Sequence, residues 1–170
     1  TMSQAPSCSA RSLPGLEPYR APHRSVDERV DDLLDRMTVE EKAGLMFHPP
    51  IAIGEDGALV EEPSAFAQTP TTELVAGLGI NTFNVFEIPA PRAMAEWHNA
   101  LQRLAAGTRL GIPVTISSDP RHSFSRTAAT FTGDALSKWP GALGLAAIGD
   151  EELTRRFADV ARQEYVALGI

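Results

Sequence analysis

The tripeptide Leu-Gly-Ile occurs three times in this chain, at 78–80, 110–112 and 168–170. Each copy follows a helical hydrophobic pattern, and in each the isoleucine opens an apolar run. A glycine at that point is placed for the left-handed C′ conformation that ends a helix. The first two copies stand about one βα unit apart, ~30 residues, as parallel βαβ architecture requires. The third occupies the final three positions of the 170-residue sequence, so a helix is expected to have ended and a strand only to have begun. Two complete parallel strands are too few for a doubly wound sheet or for a barrel of ~250 residues. The pattern therefore predicts an α/β chain whose parallel βα units form the first part of a TIM-type (β/α)8 barrel, incomplete within these residues. The competing expectation is a small compact α/β domain with a frayed C-terminus.

Local signals fill in the units. Residues 1–24 carry prolines and serines without a hydrophobic period and read as an N-terminal arm, draped over something or loose. The structured part is expected over 25–170, opening with two capping boxes, Ser25 with Glu28 and Thr38 with Glu41. Val26, Val30, Leu33, Leu34 and Met37 form one helical stripe after the first box. The second box opens a short helix reaching about Met46. Paired prolines, Gly54 and Gly57 make 48–73 a long loop, with a short hairpin around 54–59. Strands are predicted over 80–86 and 112–117. Between them Pro91 starts a helix that buries Met94, Trp97, Leu101 and Leu104. A loop rich in Gly, Thr and Ser follows, and Asp150 caps a last helix whose stripe is Leu153, Phe157, Val160, Ala161 and Leu168.

Composition excludes several classes of function. The net charge of −7 argues against nucleic acid or an anionic membrane as partner, because phosphate contacts need a basic face. The one cysteine, Cys8, permits no intrachain disulfide and no thiolate metal cage. No apolar run approaches the ~20 residues that span a bilayer, and no secretory signal opens the chain. A cytoplasmic location is the expectation that follows. The glycines at 141–149 match neither a P-loop nor GxGxxG, so no nucleotide, metal or other cofactor is expected.

The chemistry gathers at Asp119-Pro-Arg-His122, directly after the second strand. Ligands of α/β folds bind at the carboxyl ends of parallel strands. Pro120 forbids continuation of the strand and restricts Asp119 to extended backbone. A carboxylate held there can accept hydrogen bonds from vicinal hydroxyls, while Arg121 and His122 can donate to other oxygens or keep it ionised. The alternative is a loop-capping Asp beside a solvated Arg and His. Glu87, just past the first strand, could line the same mouth. His98 is expected to be solvated, and His23 and His48 have no partner at metal-ligand spacing. Ser117, Ser118 and Ser123 have no evident base beyond His122.

Taken in order, VDERVDDLLDRMTVEEK at 26–42, LGIPV at 110–114, Asp119 with His122, Trp139-Pro140, LGLAAIGD at 143–150, and the last helix with Glu164 and Gly169 resemble the N-terminal (β/α)8 domain of glycoside hydrolase family 3, β-glucosidase type. The resemblance runs over essentially 25–170. It implies a retaining, exo-acting hydrolysis of terminal β-linked sugars, with a carbohydrate as substrate. Asp119 resembles the family's strand-end aspartate, which binds sugar hydroxyls, and Arg121 and His122 would flank that subsite. The family commonly has Asp-Ala-Val-His-Gly where this chain has Asp-Pro-Arg-His-Ser, and the departure leaves the aspartate in place. The acidic Gly-Gly pattern of the family's N-acetylhexosaminidase branch is absent. In the family the nucleophile comes from a late barrel strand, and in the β-glucosidase type the acid/base comes from a later domain. No catalytic residue is therefore assigned here. The 170 residues alone are expected to be inactive and to need the remainder of the barrel and the later domain. The competing class is a non-catalytic module that binds a carbohydrate or a protein, and a flavodoxin-like binding domain is a third.

Overall fold

A computed structural model describes residues 17–63, 67–119, 121–124, 133 and 135–170. The chain divides into two compact units, 1–42 and 43–170.

In the first unit, helix α1 (Val26–Arg36) opens with the expected capping box. The Ser25 hydroxyl accepts from the Glu28 amide, and the Glu28 carboxylate accepts from the Ser25 amide. The second box forms at Thr38 and Glu41, at 2.9 and 3.2 Å. It starts α2 (Val39–Gly44), which stops before the expected Met46. Residues 17–24 are not loose. A 3-10 turn at Pro18–Arg20 is tied to α1: the Tyr19 amide donates to Asp32 at 3.0 Å, and Arg29 Nε donates to the Tyr19 carbonyl at 2.9 Å. The arginines at 20 and 36 also lie over the Tyr19 ring. The stripe of α1 departs from expectation, since Val26, Val30 and Leu34 are exposed and only Met37, past the helix end, is buried. The turn at 18–20 reaches α1 through the polar side chains of Arg29 and Asp32, so among the described residues it does not cover Val26, Val30 and Leu34.

The second unit is built on parallel pairing. Strand β1 (Thr82–Asn84) pairs with β2 (Thr115–Ser117) in the register Thr82↔Thr115, Phe83↔Ile116 and Asn84↔Ser117. The strands are shorter than the apolar runs that predicted them, though bonds from Thr115 N to Asn81 O and from Val85 N to Ser117 O carry the ladder one step further at each end. A third segment lies along the other edge of β1. Asn84 donates to Pro49 O at 3.1 Å and accepts from Ile51 N at 3.0 Å, in a parallel bridge centred on Pro50. The paired prolines predicted only loop there. Proline at 50 is tolerated because the two donor–acceptor contacts fall on its neighbours.

Helix α3 (Pro91–Ala106) makes the crossover, with Pro91 in its first turn as expected. Met94, Trp97, Leu101 and Ala105 are buried on it and join Phe83, Val85, Val114 and Ile116 in one core. Leu104, expected on that face, is partly buried against the same core. Each large side chain of this kind contributes roughly 1.5–3 kcal/mol through removal from water. Phe83 and Ile116 face that core, while Thr82, Asn84, Thr115 and Ser117 alternate to the other, polar face of the sheet. Gln102 of α3 fixes the entry to β2: its amide donates to Val114 O at 2.7 Å and accepts from Val114 N at 3.0 Å.

The three repeat glycines all take positive φ, 66° at Gly79, 59° at Gly111 and 82° at Gly169. Gly169 closes a Schellman motif, its amide donating to Val166 O and that of Ile170 to Tyr165 O. Gly79 follows a π-helical turn, Glu73–Gly77. Gly111 departs from the expected C′ role, because α3 already ends at Gly107, with ordinary φ of −78°. The expected hairpin at 54–59 is present as an Ile53↔Leu59 bridge around a 3-10 turn.

Much of the expected Gly/Thr/Ser loop, 125–132 and 134, lies outside the described residues, and its last part holds a helix that periodicity does not reveal, α4 (Ala142–Ile148), ended by Gly149 at φ 69°. Helix α5 (Glu151–Leu168) follows, with Asp150 accepting from the Leu153 amide at 3.0 Å. Of its predicted stripe only Leu168 is fully buried, and Leu153, Phe157, Val160 and Ala161 are half-buried. Among the described residues no helix is long and apolar enough to cross a membrane.

Candidate functional site

The carboxyl end of β2 runs Ser117, Ser118, Asp119, and the polar residues there are tied to three other segments. His48 Nε2 lies 2.8 Å from Ser117 Oγ, so this serine has an imidazole neighbour that the sequence pattern did not reveal. The signal was hidden because the two residues meet only through the pairing of 49–51 with β1. Ser118 Oγ donates to Val85 O at 3.0 Å, which fastens the end of β2 to the end of β1.

Asp119 and Arg121 form the centre. Arg121 Nη2 donates to Asp119 Oδ2 at 2.8 Å, and its Nε lies 3.4 Å from Ser118 Oγ. The guanidinium is 4% exposed and the carboxylate 66%. It also lies over the Phe86 ring, 5.8 Å from its centroid. The cation is thus packed inside, and the anion it holds faces out. Among the described residues no donor reaches Asp119 Oδ1, and the side chain is mostly exposed, so this oxygen can accept from a solute. Glu87, the other candidate at this mouth, is also exposed.

His122 lies behind them and is wholly buried. Its ring packs against Tyr165, centroids 5.0 Å apart, and edge-on to Phe157 at 5.9 Å. Nε2 approaches Glu164 Oε2 to 2.9 Å, but among the described residues neither ring nitrogen has a well-aligned hydrogen bond. Burial pushes the imidazole below its ordinary pKa, and the Glu164 charge opposes that shift without cancelling it. Glu164 is shared with the 137–139 segment, where it accepts from the Ser137 amide at 3.1 Å. Trp139 N donates to His122 O at 2.7 Å and Phe124 N to Trp139 O at 3.2 Å, a short parallel bridge that holds the end of the site segment.

Tyr165 is the functional candidate that sequence reasoning passed over. Its hydroxyl accepts from the Arg121 amide at 2.9 Å and donates to the Asp119 carbonyl. Burial raises its pKa, so the hydroxyl stays a donor. The available signal was an aromatic residue one step after Glu164 on the half-buried side of α5.

His98 is half-buried rather than solvated. It sits against Gly169, where an added Cβ would come within 3.1 Å of the ring, and burial lowers its pKa. His23 is exposed. No group of three or more His, Cys, Asp or Glu among the described residues is arranged to hold a metal. A separate groove of about 1180 Å³ runs between α4 and α5, lined by Phe124, Leu143, Leu145 and Phe157 among others. Asp119 is not part of its lining, which is mainly apolar with Ser123, Asp150, Glu151 and Thr154 among it.

No protein-family model matches the chain. It is 46% identical over 155 residues to "Probable beta-glucosidase C" of Aspergillus flavus, covering 89% of this chain and 24% of that protein. It is 45% identical over 154 residues to "Beta-glucosidase C" of Emericella nidulans, again 89% and 24%. With "Periplasmic beta-glucosidase/beta-xylosidase" of Dickeya chrysanthemi it shares 48% identity over 159 residues, 91% of this chain and 24% of the relative. Over most of its length the chain is therefore a homologue of β-glucosidases, as a segment of the glycoside hydrolase family 3 type would be. It spans about a quarter of the length of the curated relatives it matches.

Proposed function

We propose that this chain is a segment of a glycoside hydrolase family 3 enzyme that removes terminal β-linked sugars, glucose or xylose, from glycosides by the retaining route. In this reading its parallel βα units belong to the first part of a (β/α)8 barrel, and the polar face of β1 and β2 lines the barrel interior. The single observation that carries the proposal is the Asp119 carboxylate, held at the carboxyl end of a parallel strand by a buried guanidinium and still open to solute. The identities of 45–48% to β-glucosidases support the same reaction class.

Asp119 accepts hydrogen bonds from two vicinal hydroxyls of the terminal sugar. Arg121 occupies one edge of the carboxylate and fixes its orientation. Such charge-assisted bonds are worth roughly 1.5–3 kcal/mol each when water is excluded. His122 has no exposed surface and serves the subsite from behind, by packing on Tyr165. Retaining hydrolysis needs a nucleophile and an acid/base about 5–5.5 Å apart. Asp119, already ion-paired and committed to hydroxyls, takes neither role, and both come from other regions of the enzyme.

Two measurements test the proposal. The chain alone, given aryl β-glucosides, shows no turnover, whereas a polypeptide that joins it to the remaining regions does. In that active protein Asp119→Ala lowers kcat/KM by about 10²-fold or more, ~3 kcal/mol of transition-state binding. Turnover by the isolated chain, or an unchanged kcat/KM in the variant, would overturn it.

A further inference from the structure

Asp119 is mostly exposed, and an exposed side chain is only as well aimed as the backbone beneath it. Two groups of that backbone, the Asp119 carbonyl and the Arg121 amide, need partners. Ser118 Oγ lies 3.2 Å from the Asp119 carbonyl but also 3.0 Å from Val85 O. A hydroxyl has one proton, and the shorter contact takes it. The Asp119 carbonyl is then left to Tyr165, whose hydroxyl donates to it while accepting from the Arg121 amide. One phenol thus closes a bridge across the two residues that flank position 120. Tyr165 is itself held from the other side: its carbonyl accepts from Ile170 N at 3.0 Å in the Schellman cap, and Leu168 is buried one turn on.

We propose that Tyr165 is a positioning residue for the sugar subsite: its hydroxyl fixes the backbone at 119 and 121 on α5, and so sets the direction in which the Asp119 carboxylate meets the substrate. The sugar-binding part of this inference rests on the function proposed above; the fixing of the backbone does not. Tyr165 touches no reacting atom and acts through Asp119 alone. The ring and the hydroxyl have separable tasks, since the ring packs on His122 whether or not the oxygen is present.

The test is Tyr165→Phe in the isotope-labelled chain, read by amide hydrogen exchange and by titration with methyl β-D-glucopyranoside. The Arg121 amide is expected to exchange at least about tenfold faster, and glycoside affinity to fall about tenfold. Exchange in α3 and the thermal midpoint should stay near those of the parent, which a merely structural loss would not allow. Unchanged exchange at Arg121 overturns the inference, as does faster exchange with unchanged affinity. If the parent chain binds no glycoside, the sugar reading fails, and the exchange result alone decides whether the hydroxyl fixes the segment. If the variant does not fold, the parent's Tyr165 hydroxyl proton serves instead: held in two bonds it is expected to be observable by NMR, and its rapid loss to water counts against the proposal.

Discussion

Arg121 and Asp119 are joined at 2.8 Å across the boundary between interior and solvent, the guanidinium buried and the carboxylate open. Surface ion pairs between two mobile side chains contribute ~0–1 kcal/mol. Here only one partner is mobile, so the pair's main effect is to orient the carboxylate. Arg121→Met is expected to weaken binding of methyl β-D-glucopyranoside by about tenfold. Lysine at this position should restore little of it, because a single ammonium cannot engage Ser118 and Asp119 together. Calorimetric titration of both variants checks this.

His122 makes stability depend on pH in a defined direction. Burial holds its folded pKa below the ordinary value, whereas the unfolded residue titrates near 6.5. Between the two values the unfolded chain binds more protons, so stability is lost as pH falls below about 6.5 and the loss is complete below the folded pKa. His98, lowered by burial as well, adds in the same direction. Denaturant unfolding at pH 7 and pH 5 should show lower stability at pH 5. In a proton NMR titration the His122 ring should show a midpoint below 6.5, and a midpoint above it would contradict this environment.

Gln102 stands in for a neighbouring strand at Val114, with bonds of 2.7 and 3.0 Å. Gln102→Ala strands both backbone groups of a buried residue, at a cost of about 1–3 kcal/mol. Gln102→Glu keeps the acceptor and loses the donor, so it should cost a substantial part of the same amount. Urea unfolding of the two variants measures it.

Two glycines that end helices should respond differently to alanine. At Gly169, φ is 82° and a new Cβ meets His98 at 3.1 Å, so Gly169→Ala should destabilise by at least ~1 kcal/mol. Gly107 has φ of −78°, and its nearest new contact would be 3.4 Å. Gly107→Ala should leave stability unchanged or raise it slightly. Thermal unfolding of the pair separates them.

Much of this architecture could be read from local chemistry. Capping boxes at Ser25 and Thr38, Pro91 at the start of α3, the buried Met94–Trp97–Leu101 face and Asp150 at the cap of α5 all depend on near neighbours in sequence. So did the left-handed glycines, although Gly111 turned out to act in a turn beyond the helix end. What escaped was set at longer range. The bridge of Pro50 to Asn84 depends on an edge supplied from another segment, which paired prolines do not advertise. Helix α4 is too short for periodicity, and Leu143 upon it is 89% exposed, so no stripe betrays it. The α1 stripe was legible as a pattern, but burial requires a cover, and the pattern says nothing about one. At the candidate site, the exposed Asp119 carboxylate was legible because the strand that presents it lies next to it in sequence. Tyr165 was not, because its 46-residue separation from Asp119 is bridged only by tertiary structure. Pro120, whose restriction of Asp119 the sequence implies, lies outside the described residues.

The central claim is that Asp119 binds sugar hydroxyls, and the most direct measurement is an NMR titration of the labelled chain with methyl β-D-glucopyranoside. Saturable shifts are expected at the amides of Ser118, Asp119 and Arg121, and they should vanish in Asp119→Asn while the rest of the spectrum is retained. Absence of saturable shifts in the parent chain, or equal affinity in the variant, would contradict the account.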